Sequence, residues 1–336
     1  FEGMSQRRIA HLPSAMQRSK SFNIRLNVTP TDDVMEIVSK GEKYGCKEVL
    51  FSLGEKPELK YGSVLNKLNS FGHSTLVNYL ASMCQLVIKE TNLLPHTNIG
   101  TLNKNEIETL KPVTASMGMM LETTSEKILK KGGAHYKCPD KVPSIRIRTI
   151  KTAGELRVPF TTGILIGIGE TWDDRINSIL KINSMYKKYG HIQEVIIQNF
   201  RAKIGISMEN FPEPSLNEML RTIAISRIIL EPEISIQVPP NLSSQYLKYL
   251  DAGINDWGGI SPVTIDHINP EREWPQIDKL NKLMKDKGYQ LKERLTIYPK
   301  FQTIKKNFMA DNMVNKILNI ADEEGLAINQ ISEESL

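Results

Sequence analysis

The side chains best suited to chemistry in this sequence gather just after short apolar runs, where a strand would present them to a ligand. Gly54-Glu55-Lys56-Pro57-Glu58 follows the run 47–53. A glycine there lets a ligand approach the backbone, and the carboxylate beside it can accept hydrogen bonds from an ammonium group. The same five residues also read as a plain turn with solvated charges. Glu122, at the end of 113–121, could bind a ribose hydroxyl or serve as a first-turn helix carboxylate. In PFTTGILIGIGE, residues 159–170, Gly163, Gly167 and Gly169 interrupt an apolar strand and precede Glu170. Glycine inside a strand marks close approach of a ligand or of another backbone. The spacing is not that of a dinucleotide-binding loop. Gln198-Asn199-Phe200-Arg201, Pro239-Pro240-Asn241 and Asp256-Trp257-Gly258-Gly259 continue the series. Trp257 could stack on a flat heterocycle or pack in a rim. So many polar or glycine-rich tips suggest one large, elongated small-molecule site.

The elements that would position these tips alternate along the chain. Apolar spacing predicts helices over 31–44, 74–91, 103–110, 123–131, 171–189, 215–230 and 242–251. Thr171 and Asp174 form a capping-box pattern, and Gly190 ends that helix. Strand-like runs lie at 47–53, 94–99, 113–121, 159–168, 193–200, 234–238 and 254–257. Strict strand–helix alternation predicts a parallel sheet, and seven or eight units predict a TIM-type α/β barrel rather than an open sheet. The one candidate for an eighth strand is 22–28, FNIRLNV, whose flanks are poor in apolar residues, so the first strand–loop unit is expected to be missing or degenerate. The expected division is an atypical or truncated N-terminal segment over 1–28, a barrel over 29–300, and a helical tail over 301–336 whose Met309, Met313, Val314, Ile317 and Leu318 can pack on the barrel. In such a barrel, chemistry sits at the C-terminal ends of the strands.

Bulk properties narrow the class. The 336 residues are 40% apolar and 24% charged, with a net charge of +5 from interspersed residues. That balance suits one large core and shows no basic stripe for nucleic acid. No run reaches membrane-spanning length, residues 1–20 lack the apolar stretch of a secretory signal, and three cysteines give no disulfide framework. A cytoplasmic protein acting on a small molecule is expected.

Taken in order, the tips resemble the radical S-adenosylmethionine superfamily. GEKPE resembles the turn where that superfamily holds the cofactor's amino group, and Gly163 to Glu170 resembles the strand that backs its adenine. LFSLGEKPELKY, NLLPHTNIG, SMGMMLETTSE, FTTGILIGIGET, EVIIQNFRAK, SIQVPPNL and NDWGGISPVTIDHINPEREWP together resemble the small subunit of 7,8-didemethyl-8-hydroxy-5-deazariboflavin (FO) synthase, over about residues 30 to 300. The resemblance implies a lyase that uses S-adenosylmethionine and a 4Fe–4S cluster. It would close the deazaflavin ring of 5-amino-5-(4-hydroxybenzyl)-6-(D-ribitylimino)-5,6-dihydrouracil and release ammonia. A partner enzyme, the large FO synthase subunit, would make that substrate. By the same resemblance Gly54, Glu55, Lys56, Glu122, Gly163, Gly167 and Glu170 would meet the cofactor, and Asn199, Asn241, Asp256, Trp257 and Gly258 the substrate.

One departure stands out. The cluster of this superfamily is held by a C-x3-C-x2-C loop after the first strand. Here Cys46, Cys84 and Cys138 are 38 and 54 residues apart, so no residue is assigned to a metal. A truncated or misread N-terminus, or a degenerate paralogue, would each account for this. The alternative reading is an inactive barrel that acts only in binding or beside a partner subunit.

Overall fold

The computed structural model describes residues 15–25, 28–52, 54–267, 269–303 and 307–328. Expectations for residues 1–14, 26–27 and 329–336 lie outside these.

Eight parallel strands close into a barrel. They are β1 (Ala15–Arg25), β2 (Glu48–Ser52), β3 (Leu94–Asn98), β4 (Ser116–Gly118), β5 (Phe160–Ile166), β6 (Ile192–Asn199), β7 (Ser235–Gln237) and β8 (Asp256–Ile260). Each pairs in parallel with the next, and β1 closes the ring by pairing with both β2 and β8. A ninth strand, β9 (Gln290–Glu293), lies parallel to the start of β1 outside the ring.

The first strand is therefore present, and it runs over 15–25 rather than 22–28. Its pattern is hard to read because buried positions carry Ser19 and Ser21 instead of branched apolar residues. Arg25 pairs with Ser52 and Gln17 with Asp256, so the strand spans the barrel from floor to mouth.

The helices follow the amphipathic pattern. They are α1 (Thr31–Lys43), α2 (Gly62–Ser70), α3 (Leu76–Glu90), α4 (Lys104–Leu110), α5 (Pro143–Glu155), α6 (Trp172–Tyr189), α7 (Leu216–Ile229), α8 (Ile277–Asp286) and α9 (Asp311–Ile320). Thr171 caps α6 in a reciprocal box with Asp174, and Gly190 ends it in the left-handed region. Expected helices at 123–131 and 242–251 are only short 3-10 turns. The helix that crosses from β4 to β5 is α5, which its weak segregation of apolar residues had hidden.

After β9 the chain turns under the barrel. Leu295, Ile297, Tyr298 and Phe301 form a second core with Leu94, Ala115, Met309, Met313 and Ile317. Val314 packs at its edge, whereas Leu318 is exposed. This segment seals the N-terminal end of the barrel and sends Arg294 and Thr296 upward into the lumen.

Candidate active site

Period-two alternation in a barrel strand points every second side chain inward. Inward positions here are unusually polar: Glu48 on β2, His96 and Asn98 on β3, Thr161 on β5, Glu194 and Gln198 on β6, and Gln237 on β7. With Arg294 and Thr296 from below they line a lumen cavity of about 200 Å³. A structural barrel fills this space with Val, Ile and Leu. Polar walls that leave a cavity instead mark a ligand site.

The floor is a buried ionic network. Arg294 grips Asp256 with two hydrogen bonds, 2.6 Å from Nε and 3.1 Å from Nη2, and its Nη2 also reaches Glu194 at 3.1 Å. The Tyr298 hydroxyl donates to Asp256 at 2.9 Å, and Thr161 donates to Glu194 at 3.1 Å. Burial opposes the Arg294 charge, but Asp256, Tyr298 and Glu194 outweigh it and keep the guanidinium charged. Burial pushes the Glu194 carboxyl up to about 7, more than Arg294 lowers it. Glu48 is raised by burial too, against Arg294 and its hydroxyl donors, of which Ser19 stands at 2.6 Å. Burial holds His96 neutral, down at about 3, with Nδ1 2.6 Å from the Ser116 hydroxyl.

The mouth is covered by the loop after β8. Asp266 receives Asn241 Nδ2 at 2.9 Å and Asn269 at 3.0–3.1 Å, which ties this loop to the turn after β7. Ser261, Thr264, Ile265 and Trp274 of the same loop face the lumen.

The residues singled out from sequence fall into three groups. Glu55, Glu122 and Gly167 lie beyond the C-terminal ends of β2, β4 and β5, on one side of the mouth, whereas Gly163 stands in the middle of β5. Glu55 is half-buried, raised by burial, and held by the Thr101 hydroxyl; Gly54 precedes it, and Lys56 turns away to pair with Glu106 at 2.8 Å. Glu122 is already engaged by His135 at 2.8 Å, Arg146 at 3.2 Å and Lys141. Burial would raise its carboxyl, but these three cations and donors bring it down to about 2. Glu170 accepts from the Gly167 and Ile168 amides at 2.8–3.1 Å and from Arg175 at 2.6 Å, so it caps its own turn. A Cβ at Gly163 would collide with the Ile196 carbonyl, so the close approach there is that of strand β6, not of a ligand. Asn199 and Asn241 sit at the ends of β6 and β7, with Asn199 lining a side cavity rather than the lumen.

The third group does not reach the mouth. The sequence pattern placed the β8 strand at 254–257 and its tip just after; the strand instead runs over Asp256–Ile260. Asp256 is thereby at the floor, fully buried, on the opposite end of the barrel from Glu55. Trp257 points outward, its indole N–H donating to Met284 Sδ at 3.4 Å and its ring edge-on to Tyr246. It stacks on no lumen ligand. A Cβ at Gly258 would strike the Gln237 amide, so this glycine makes room for a lumen side chain. Sequence reasoning singled out Gln198 as part of the tip after β6 but missed Glu48, His96, Glu194, Gln237 and Arg294. The signal for those on the strands was their parity: they are polar residues at alternate positions of otherwise apolar strands.

The cysteines do not fit an iron–sulfur cluster. Cys46 is buried just before β2, with burial pushing its thiol up to about 12. Cys84 is buried on α3, its thiol raised further by burial alone. Cys138 lies in the loop before α5, its Sγ 3.7 Å from the Tyr136 carbonyl. Three thiolates on one cluster must converge. Among the described residues no group of three or more His, Cys, Asp or Glu side chains is placed to hold a metal ion. No helix of the described residues is long and apolar enough to cross a membrane.

No family model matches the chain. A Methanopyrus kandleri protein named 7,8-didemethyl-8-hydroxy-5-deazariboflavin synthase is 46% identical over 92% of this chain and 92% of its own length. A Methanococcus vannielii protein of the same name is 48% identical over 90% of this chain and 84% of its own. A Nocardia farcinica protein named FO synthase is 48% identical over 80% of this chain, which spans only 32% of that longer protein. Among solved structures, the hydrogenase maturase HydG from Carboxydothermus hydrogenoformans superposes with a TM-score of 0.64 at 15% identity, covering 93% of this chain and 76% of its own. Methylornithine synthase superposes at 0.65 and 16% identity, covering 84% of this chain and 86% of its own. Those two likenesses establish the barrel fold.

Proposed function

Since the chain belongs to the 7,8-didemethyl-8-hydroxy-5-deazariboflavin (FO) synthase family, we propose that it is an enzyme of deazaflavin coenzyme biosynthesis that forms FO in the barrel lumen. The observation that carries this reading is the polar lumen, in a chain 46–48% identical to proteins of that name. The substrate would be 5-amino-5-(4-hydroxybenzyl)-6-(D-ribitylimino)-5,6-dihydrouracil, supplied by a large-subunit partner enzyme. The reaction would be a carbon–nitrogen lyase step with loss of ammonia.

The chain's own residues have three tasks in this reading. Glu48, Glu194, Gln198, Gln237 and Asn98 present acceptors and amides to the hydroxyls and ureide of the ligand. The loop pinned by Asp266, Asn241 and Asn269 excludes water from the mouth. Glu194 can hold a proton near neutral pH and deliver it to the departing nitrogen as the carbon–nitrogen bond breaks. At the rim, Gly54 and Glu55 fit the amino end of S-adenosylmethionine, because Glu55 is half-buried with Thr101 on one side. That cofactor would supply radical chemistry only with an electron from a cluster. The cysteines described above do not fit the cluster, so no step here depends on it.

Calorimetric titration with FO tests the reading. One FO should bind per chain, and Gln198→Leu should weaken binding at least tenfold. No FO binding to the unaltered protein would refute it.

A further inference from the structure

A second cavity, of about 230 Å³, opens beside the lumen at the C-terminal ends of β6 and β7. Leu242 forms a wall common to the two. We propose that this side cavity is a binding site for an anionic group, the carboxylate or phosphate of a ligand. The inference needs nothing from the FO reading.

Three observations carry it. Arg201 and Arg272 both line the cavity. Arg201 spends Nη1 on Glu213 at 2.5 Å, but its Nε–H is buried and has no partner. Arg272 Nε–H is likewise buried without a partner, and Arg272 makes no salt bridge among the described residues. Two guanidinium groups against the single carboxylate of Glu213 leave the walls net positive. Asn199 is the third observation: only 7% exposed, it lines the cavity with Oδ1 unpaired. A half-turn of its amide would present two N–H donors instead. Ser243 and Tyr249 add hydroxyls to the same wall.

Buried donors without acceptors are rare in folded proteins and ask for an explanation. Planar guanidinium groups match the oxygens of carboxylates and phosphates, and they do so most strongly where water is partly excluded. An anion in this cavity would satisfy both Nε–H groups and balance the charge.

The test follows the arginine side-chain Nε–H resonances by NMR while inorganic phosphate, or separately acetate, replaces chloride at constant ionic strength. The Arg201 and Arg272 signals should move saturably with at least one of the two probes. The probe that binds more tightly tells a phosphate-bearing ligand from a carboxylate-bearing one. Arg272→Gln should weaken that binding at least tenfold, and Arg221→Gln, at an exposed position on α7, should leave it unchanged. If neither probe moves both resonances, the cavity holds only water and the proposal fails. Equal binding by Arg272→Gln would also overturn it.

Discussion

At the scale of single residues, two buried carboxyls are pushed in opposite directions by their neighbours. Glu122 sits among His135, Arg146 and Lys141, and its folded value lies near 2, below the ordinary 4.5. A depressed carboxyl stabilises the fold above its unfolded value, and that contribution is lost as pH falls from about 4.5 towards 2. The shift corresponds to on the order of 3 kcal/mol. Glu122→Gln should therefore cost stability at pH 7 and remove much of the acid sensitivity between pH 5 and 2, read by chemical denaturation at each pH. Glu194 runs the other way. Its raised value means the folded state holds the proton more tightly, so stability falls as pH rises from about 4.5 to about 7. Glu194→Gln should flatten that segment of the profile; an unchanged slope would show that Glu194 does not titrate there. Neither direction could be read from the sequence. Glu122 was visible as a strand-end carboxylate, but its three partners come from the loop and helix that follow, up to 24 residues away. Glu194 looked like one polar residue in an apolar run.

At the scale of elements, the positions of strands decide which residues can act together. The pattern placed β2, β3, β5 and β6 to within about two residues, because each is a short extended stretch bounded by a clear punctuating tip. It shifted β8 by two residues at its start, and at about 3.3 Å per residue that moved Asp256 from near the C-terminal end of the expected strand to the first position of the actual one, at the floor. Crossover helix α5 was missed because Arg146, Thr149 and Gly154 are buried on it, so no clean apolar stripe appears. Two predictions belong here. Gly163→Ala drives a Cβ into the Ile196 carbonyl and should destabilise the fold by about 3 kcal/mol, seen as a lower denaturation midpoint. Arg294→Met leaves Asp256 and Glu194 buried without their cation and should cost about 3–5 kcal/mol. Adding Asp256→Asn to Arg294→Met should recover part of that loss, whereas strictly additive losses would mean that the floor network is not coupled.

At the scale of the whole molecule, the fold was legible and the site only in part. Strand–helix alternation gave the parallel sheet, and seven clean units favoured a barrel over an open sheet. The C-terminal segment that floors the lumen was not legible, because Arg294 and Thr296 look like ordinary surface residues until β9 places them under the ring. The cysteines lead to a prediction at this scale. Anaerobic reconstitution of this chain with iron and sulfide should leave it well short of four irons per chain, because Cys46, Cys84 and Cys138 cannot converge on one cluster. A stable four-iron protein would contradict the placement of those residues.

The central claim is that the polar lumen of this barrel is where FO is made and held. A crystal structure of the chain soaked with FO tests it most directly. The account predicts one FO within the lumen, above Arg294 and within hydrogen-bonding distance of Glu194 and Gln198, with the loop that carries Asp266 closed over it. FO bound elsewhere on the protein, with the lumen filled by water alone, would contradict it.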